Sequence, residues 1–133
     1  MSRIADLQAG ESLSEIRLEP VSRLDLIKYA GASGDFNPIH TIDAEAEKAG
    51  LPGIIAHGMW TMGNLAKLFT PHIEEGFIQD YAIRFKGMVF LGDEITLKAT
   101  VAEKLEDHLK FTVEAVNQSE KSVLKGDIIF SIK

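Results

Sequence analysis

A chain of 133 residues has the length of one domain, and it can bury a core without help from a metal or a disulfide. It contains no cysteine, which excludes disulfides and thiolate chemistry, and its formal net charge of −6, with no basic run longer than a pair, excludes general nucleic-acid binding. No apolar stretch reaches the length of a membrane-spanning helix, and "MSRIADLQAGESL" lacks the apolar core of a signal peptide, so the expectation is a single cytoplasmic, soluble domain over residues 1–133.

In chain order, "SLSEIRLEP" alternates as a short N-terminal strand. "SRLDLIKYAGA" then offers Ser22 as an N-cap and Asp25 three residues on, at the positive end of a helix. Leu24, Ile27 and Lys28 follow helical spacing, and Gly31 and Gly34 are expected to end the helix. "DAEAEKAG" predicts a second short helix with Asp43 as cap and Gly50 as stop. After the turn-like "LPG", the segment "IIAHGMWTMGNLAKLF" carries apolar residues on nearly every side of the helical wheel. A helix of that kind is expected to be buried, and about 13 residues from His57 to Phe69 would span roughly 20 Å.

From Phe77 the apolar period changes to two. "YAIRFKGMVF", "EITLKATVAEKL", "LKFTVEAVN" and "SVLKGDIIFSIK" are rich in Val, Ile, Thr and Phe and predict strands. Ile95, Leu97, Ala99 and Val101 share one face, as do Leu124, Ile128, Phe130 and Ile132. The short connections "LGDE", "EDH" and "NQSEK" predict hairpins or a meander. About five antiparallel strands and one apolar helix have few good arrangements: a twisted sheet curls around the helix. The fold class is therefore α+β. Such a sheet keeps open edges, and pairing edge to edge as a homodimer would protect them.

The chemistry concentrates in "YAGASGDFNPIH", residues 29–40. Asn37-Pro38 is a turn signal, with Asn37 able to cap a single helical turn that Pro38 opens. Asp35 and His40 then sit on one compact loop, where a carboxylate and an imidazole could supply a base and an acid near neutral pH. Residue types alone equally allow a plain turn followed by a structurally bonded histidine.

The same stretch resembles the signature of the MaoC-like, (R)-specific enoyl-CoA hydratase family (hydratase 2), in which small residues lead into Gly-Asp-x-Asn-Pro-aliphatic-His. "GIIAHGMWTMG" is similar to the family's second signature at the start of its central helix, and "RFKGMVFLGDEI" to the strand and turn that follow. The likeness runs from about residue 5 to the end. It implies the hot-dog fold, a sheet wrapped around a central helix, and hydration of trans-2-enoyl thioesters to (R)-3-hydroxyacyl thioesters or the reverse dehydration.

Carried over residue by residue, the resemblance implies Asp35 as base on the water and His40 as proton donor at C2, with the two roles exchangeable between the members of a coupled pair. Asn37 would orient the water or the pair, or else serve as a turn-former. Gly58, at the helix N-terminus, would offer its N–H to the thioester oxygen, where free N–H groups and the helix dipole favour negative charge, or else only let the helix pack tightly. His57 would touch the pocket or hold the loop. Trp60 and Met62 would line the acyl pocket or the core. Apart from the resemblance, Arg84 and Lys86 share one face of a strand and could meet phosphates of the substrate, or be ordinary exposed strand charges. No cofactor is expected beyond the CoA or acyl-carrier phosphopantetheine of the substrate itself, and the four histidines show no zinc-like spacing. A heterodimer remains a second assembly. A hot-dog thioesterase and a non-catalytic acyl-binding subunit of a heteromeric dehydratase are the rival functions.

Overall fold

The computed structural model describes residues 3–133, so Met1 and Ser2 of the expected 1–133 domain lie outside the described residues. The elements are β1 (Ile16–Arg17), α1 (Arg23–Ser33), α2 (Asp43–Lys48), α3 (Gly58–Leu65), β2 (Gly76–Phe85), β3 (Thr96–Lys104), β4 (His108–Val116) and β5 (Ser122–Ile132), with 3-10 turns at Ile4–Asp6, Pro38–His40, Ala66–Leu68 and Thr70–His72. The five strands form one antiparallel sheet in the order β1-β3-β4-β5-β2. Among the described residues no helix is long and apolar enough to cross a membrane.

The period-two faces meet in the core. Ile95, Leu97, Ala99 and Val101 are buried, as are Leu124, Ile128 and Phe130, while Ile132 is partly buried against them. Phe69 closes the inner side, with its ring edge-on to Phe111 and stacked on Phe130. This is the α+β arrangement of a sheet against a helix that the sequence pattern predicts, with α3 lying over β4.

The capping box forms as expected. Ser22 Oγ accepts from the Asp25 N–H, and Asp25 Oδ2 accepts from the Ser22 N–H. Three details of the helices differ from expectation. Gly31 lies inside α1, and Gly34 alone ends it, at φ 78, a left-handed conformation that glycine adopts without a Cβ clash. The buried face of α1 is Leu26 and Ala30, whereas Leu24 and Ile27 point outward. In α2 the cap position is Ile42; Asp43 is the first helical residue, drawn in by Arg23 at 2.7 Å.

The central helix is also shorter than expected. It tightens into 3-10 turns after Leu65, because Pro71 lacks an N–H and disfavours α geometry at Thr70. Nor is it covered all round. Thr61 and Leu65 are buried, Trp60 and Met62 are half-buried, and Met59 is 57% exposed, since one sheet covers only one side of a helix. Tyr81 ties the edge strand to this helix by donating its hydroxyl to the Met62 carbonyl.

The largest departure concerns "LGDE", which does not close a hairpin between β2 and β3. β2 pairs with β5 at one edge, and β3 lies across the sheet beside β1. Residues 86–95 make the crossing. Lys86 and Gly87 donate to the Val123 carbonyl, Val89 accepts from Ala56, Gly92 donates to Val21, and Ile95 accepts from Leu18. Asp93 holds the corner by accepting from the Phe90 N–H and the Gln118 amide. This crossing lays Met88 and Val89 over the chain that enters α3, and so makes one wall of the site.

Candidate active site

The Asp35 loop is built by local hydrogen bonds. Asn37 Oδ1 accepts from the Ile39 N–H, capping the Pro38–His40 turn. The Asn37 N–H in turn donates to Asp35 Oδ1 at 3.2 Å, and the Asp35 N–H donates to Ser33 Oγ. Asn37 is thus a turn-former that also fixes the carboxylate, through its backbone. The other carboxylate oxygen, Oδ2, lies 3.9 Å from His40 Nε2.

His40 is held from behind, its Nδ1 2.8 Å from the Ile55 carbonyl. A carbonyl only accepts, so Nδ1 carries the proton and Nε2 is the nitrogen left to work on the Asp35 side. The His40 side chain is 10% exposed and that of Asp35 52%, so the carboxylate stands on the solvent side of the imidazole.

His57 occupies the cap position of α3 and is buried. Its Nε2 donates to the Asp35 carbonyl at 3.1 Å, and its ring stacks on His40 with Tyr29 edge-on behind it. It holds the loop. Asp35, His40 and His57 bring potential ligand atoms within 4.8 Å of one another, a convergence that linear spacing does not reveal. The two rings are stacked, however, and a ligating nitrogen binds a metal in the plane of its own ring.

A cavity of about 200 Å³ opens beside His40. His40, Gly58, Thr61, Phe85, Met88 and Leu124 are among its walls. The Gly58 N–H, at the open end of α3, donates to no group among the described residues. A Cβ at Gly58 would stand 2.8 Å from Phe85 Cε1, so only a glycine lets the ring approach this closely. His40 and Gly58 therefore face a common space.

Not every residue singled out from the sequence reaches it: Asp35, Asn37 and His57 are not among its walls, and of the expected acid–base pair only His40 lines it. Trp60 lines a separate hollow with Arg17, Asp25 and Lys67, and Met62 packs against the core; neither lines the His40 cavity. Arg84 and Lys86 flank Phe85, and strand alternation sends them to the opposite side of the sheet. There they line a hollow of about 470 Å³ with Lys125, which is in register with Arg84. The apolar walls that sequence reading missed, Phe85, Met88 and Leu124, come from β2, the crossing segment and β5, which only the sheet order brings together. Thr61 was missed because a threonine amid apolar residues reads as filler.

A sequence model of the family described as MaoC like domain matches residues 6–123. The chain is 32% identical over 126 residues to the mitochondrial 3-hydroxyacyl-[acyl-carrier-protein] dehydratase of Arabidopsis thaliana, covering 91% of this chain and 75% of that protein. It is 32% identical over 108 residues to the fatty acid synthase subunit beta of Aspergillus oryzae, covering 78% of this chain but only 5% of that much longer protein. Among solved structures, the unliganded R-hydratase PhaJ1 from Pseudomonas aeruginosa superposes with a TM-score of 0.88 at 27% identity, over 96% of this chain and 83% of the other.

Proposed function

The chain belongs to the MaoC-like dehydratase family, with its hot-dog fold, and from that premise we propose that it adds water to trans-2-enoyl thioesters to give (R)-3-hydroxyacyl thioesters, or runs the reverse dehydration. The observation that carries this reading is the 3.9 Å approach of Asp35 Oδ2 to His40 Nε2, with His40 lining a cavity that Gly58 also lines.

In the hydration direction Asp35 takes a proton from water as its oxygen bonds to C3. The π electrons move toward the thioester, whose oxygen gains negative charge beside the Gly58 N–H. His40, with a second proton on Nε2 while its Nδ1–H stays on the Ile55 carbonyl, gives the Nε2 proton to C2, and the proton held by Asp35 then returns to Nε2. One O–H bond breaks, one C–O and one C–H bond form, and the pair is restored. General acid–base catalysis of this kind contributes about 10²–10⁴-fold, and one backbone donor to the oxyanion about 10²–10³-fold. A thioesterase with its carboxylate on the central helix is disfavoured, because α3 reads "GMWTMGNL"; one using a carboxylate beside the helix is separated from a hydratase by the assay below.

Arg84, Lys86 and Lys125 have no ion-pair partner among the described residues, but they line a hollow across the sheet from the His40 cavity, so a substrate bound there would have to pass the β2 edge for its CoA or carrier phosphates to meet them. Assembly follows from the open side of the fold. β2 is a ten-residue edge strand, and Phe77, Phe85, Met59 and Met88 are all more than half exposed. A second copy pairing along β2 would cover the strand edge and these side chains together.

Loss of the enoyl-thioester absorbance of crotonyl-CoA, with chiral analysis of the product, tests the function. Turnover to the (R)-3-hydroxy product is the expected result. Thiol release without hydration would make the chain a thioesterase, and neither reaction on short or long acyl chains would make it a binding subunit.

A further inference from the structure

The Thr61 hydroxyl is fully buried, and among the described residues no protein group bonds to it. A buried hydroxyl left in that state costs stability, and most find a partner. Within a helix a threonine usually satisfies itself on the carbonyl one turn back; here that is His57, and the bond is not made. Thr61 lines the same cavity as His40 and Gly58, and apart from His40 it supplies the only polar side chain among the lining residues.

Resting on the hydratase reading, we infer that Thr61 is a substrate-binding residue whose hydroxyl donates to the thioester oxygen alongside the Gly58 N–H. Thr61 lies three residues after Gly58 on α3, so both lie on one face of the helix. Its Cα–Cβ bond tilts toward the helix N-terminus, which aims the hydroxyl back at the turn where Gly58 stands. Within the acyl part of a 2-enoyl thioester, the carbonyl oxygen is the one strong acceptor. It has two lone pairs, and one backbone N–H satisfies only one of them. The attacking water is already served by Asp35 and His40.

The competing role is structural, a solvent-bridged contact to His57 Nδ1, the other buried side-chain polar atom without a protein partner among the described residues. The two roles predict opposite things of Thr61→Val, which keeps the shape and removes the hydroxyl. If the hydroxyl serves the substrate, Thr61→Val melts at or above the wild-type temperature while kcat/KM on crotonyl-CoA falls by about 10²-fold, the lower end for loss of an oxyanion donor. Thr61→Ser recovers most of that loss, and binding of the unreactive butyryl-CoA by calorimetry weakens about tenfold in the valine variant. Thr61→Ala provides the same readouts should valine not be accommodated. A lowered melting temperature with unchanged kcat/KM and unchanged butyryl-CoA binding overturns the inference in favour of the bridge. Failure of the wild type to hydrate crotonyl-CoA would sink the hydratase reading alone, because butyryl-CoA binding still decides Thr61; wild-type binding of neither thioester would overturn both.

Discussion

The imidazole rings of His40 and His57 lie stacked, 3.8 Å between centroids and 22° from parallel. Each spends one nitrogen on a backbone carbonyl, His40 on Ile55 and His57 on Asp35. The stack therefore joins the Asp35 loop, the strand-like approach to α3 and the helix cap into one unit. The carboxylate and imidazole are held by this scaffold, not by each other, since 3.9 Å is beyond a direct hydrogen bond.

His57 acts through position. His57→Phe keeps an aromatic ring against His40 and removes the N–H that holds the Asp35 carbonyl. The variant is expected to fold, with kcat lower by about tenfold and KM little changed, since small misplacements of a catalytic group are costly. Steady-state kinetics on crotonyl-CoA checks this, and wild-type kcat would show that the tether is dispensable.

Asp35→Asn should keep the fold and lower hydratase turnover by at least about 10²-fold, the lower bound for removing a general base. His40→Ala should behave alike. If the two side chains act as a unit, the double variant loses less than the product of the single losses. Multiplicative losses would mean that they act independently, and undiminished turnover in Asp35→Asn would remove it from the mechanism.

How legible all this was depends on range. The Ser22 capping box, the Asn37–Pro38 turn and the strand faces are set by residues within a few positions of one another, and the sequence predicts them directly. The strand order is not local. Nothing within "LGDE" says that the chain will cross the sheet instead of turning back, because that is decided by pairing of β2 with β5 some forty residues downstream in register Phe85↔Leu124. The cavity walls inherit that blindness, which is why Trp60 and Met62 stood in for Phe85 and Met88. The sequence offers His57 as a residue to touch the pocket or hold the loop; its stacking on His40, seventeen residues away in sequence, has no linear signature.

The dimer follows from the uncovered edge. In solution the protein is expected to elute and scatter as a dimer. Phe77, 54% exposed near the start of β2, is a place to test the edge: Phe77→Lys should raise the dissociation constant, because a charge on an edge strand opposes pairing. A wild-type chain that stays monomeric at high concentration would refute the edge-pairing argument.

Acid stability should trace to Glu75. Its side chain is 11% exposed, and burial alone would raise its pKa. The His72 Nδ1–H at 2.7 Å and the N–H groups of Ile4 and Ala5 outweigh that and hold the carboxyl below its ordinary value. Because the folded pKa is depressed, the contribution to stability is complete above the unfolded value, about 4.3, and is lost as pH falls through the folded one. Glu75→Gln should therefore be less stable than wild type at pH 7, and the difference in melting temperature between the two should shrink as pH is lowered from about 5 toward 2. The same carboxylate fastens the Ile4–Asp6 turn to the chain that enters β2, so the loss should also speed amide exchange around Ile4 and Ala5. A difference that stays constant across the acid range would mean that the Glu75 charge contributes nothing and only its shape matters.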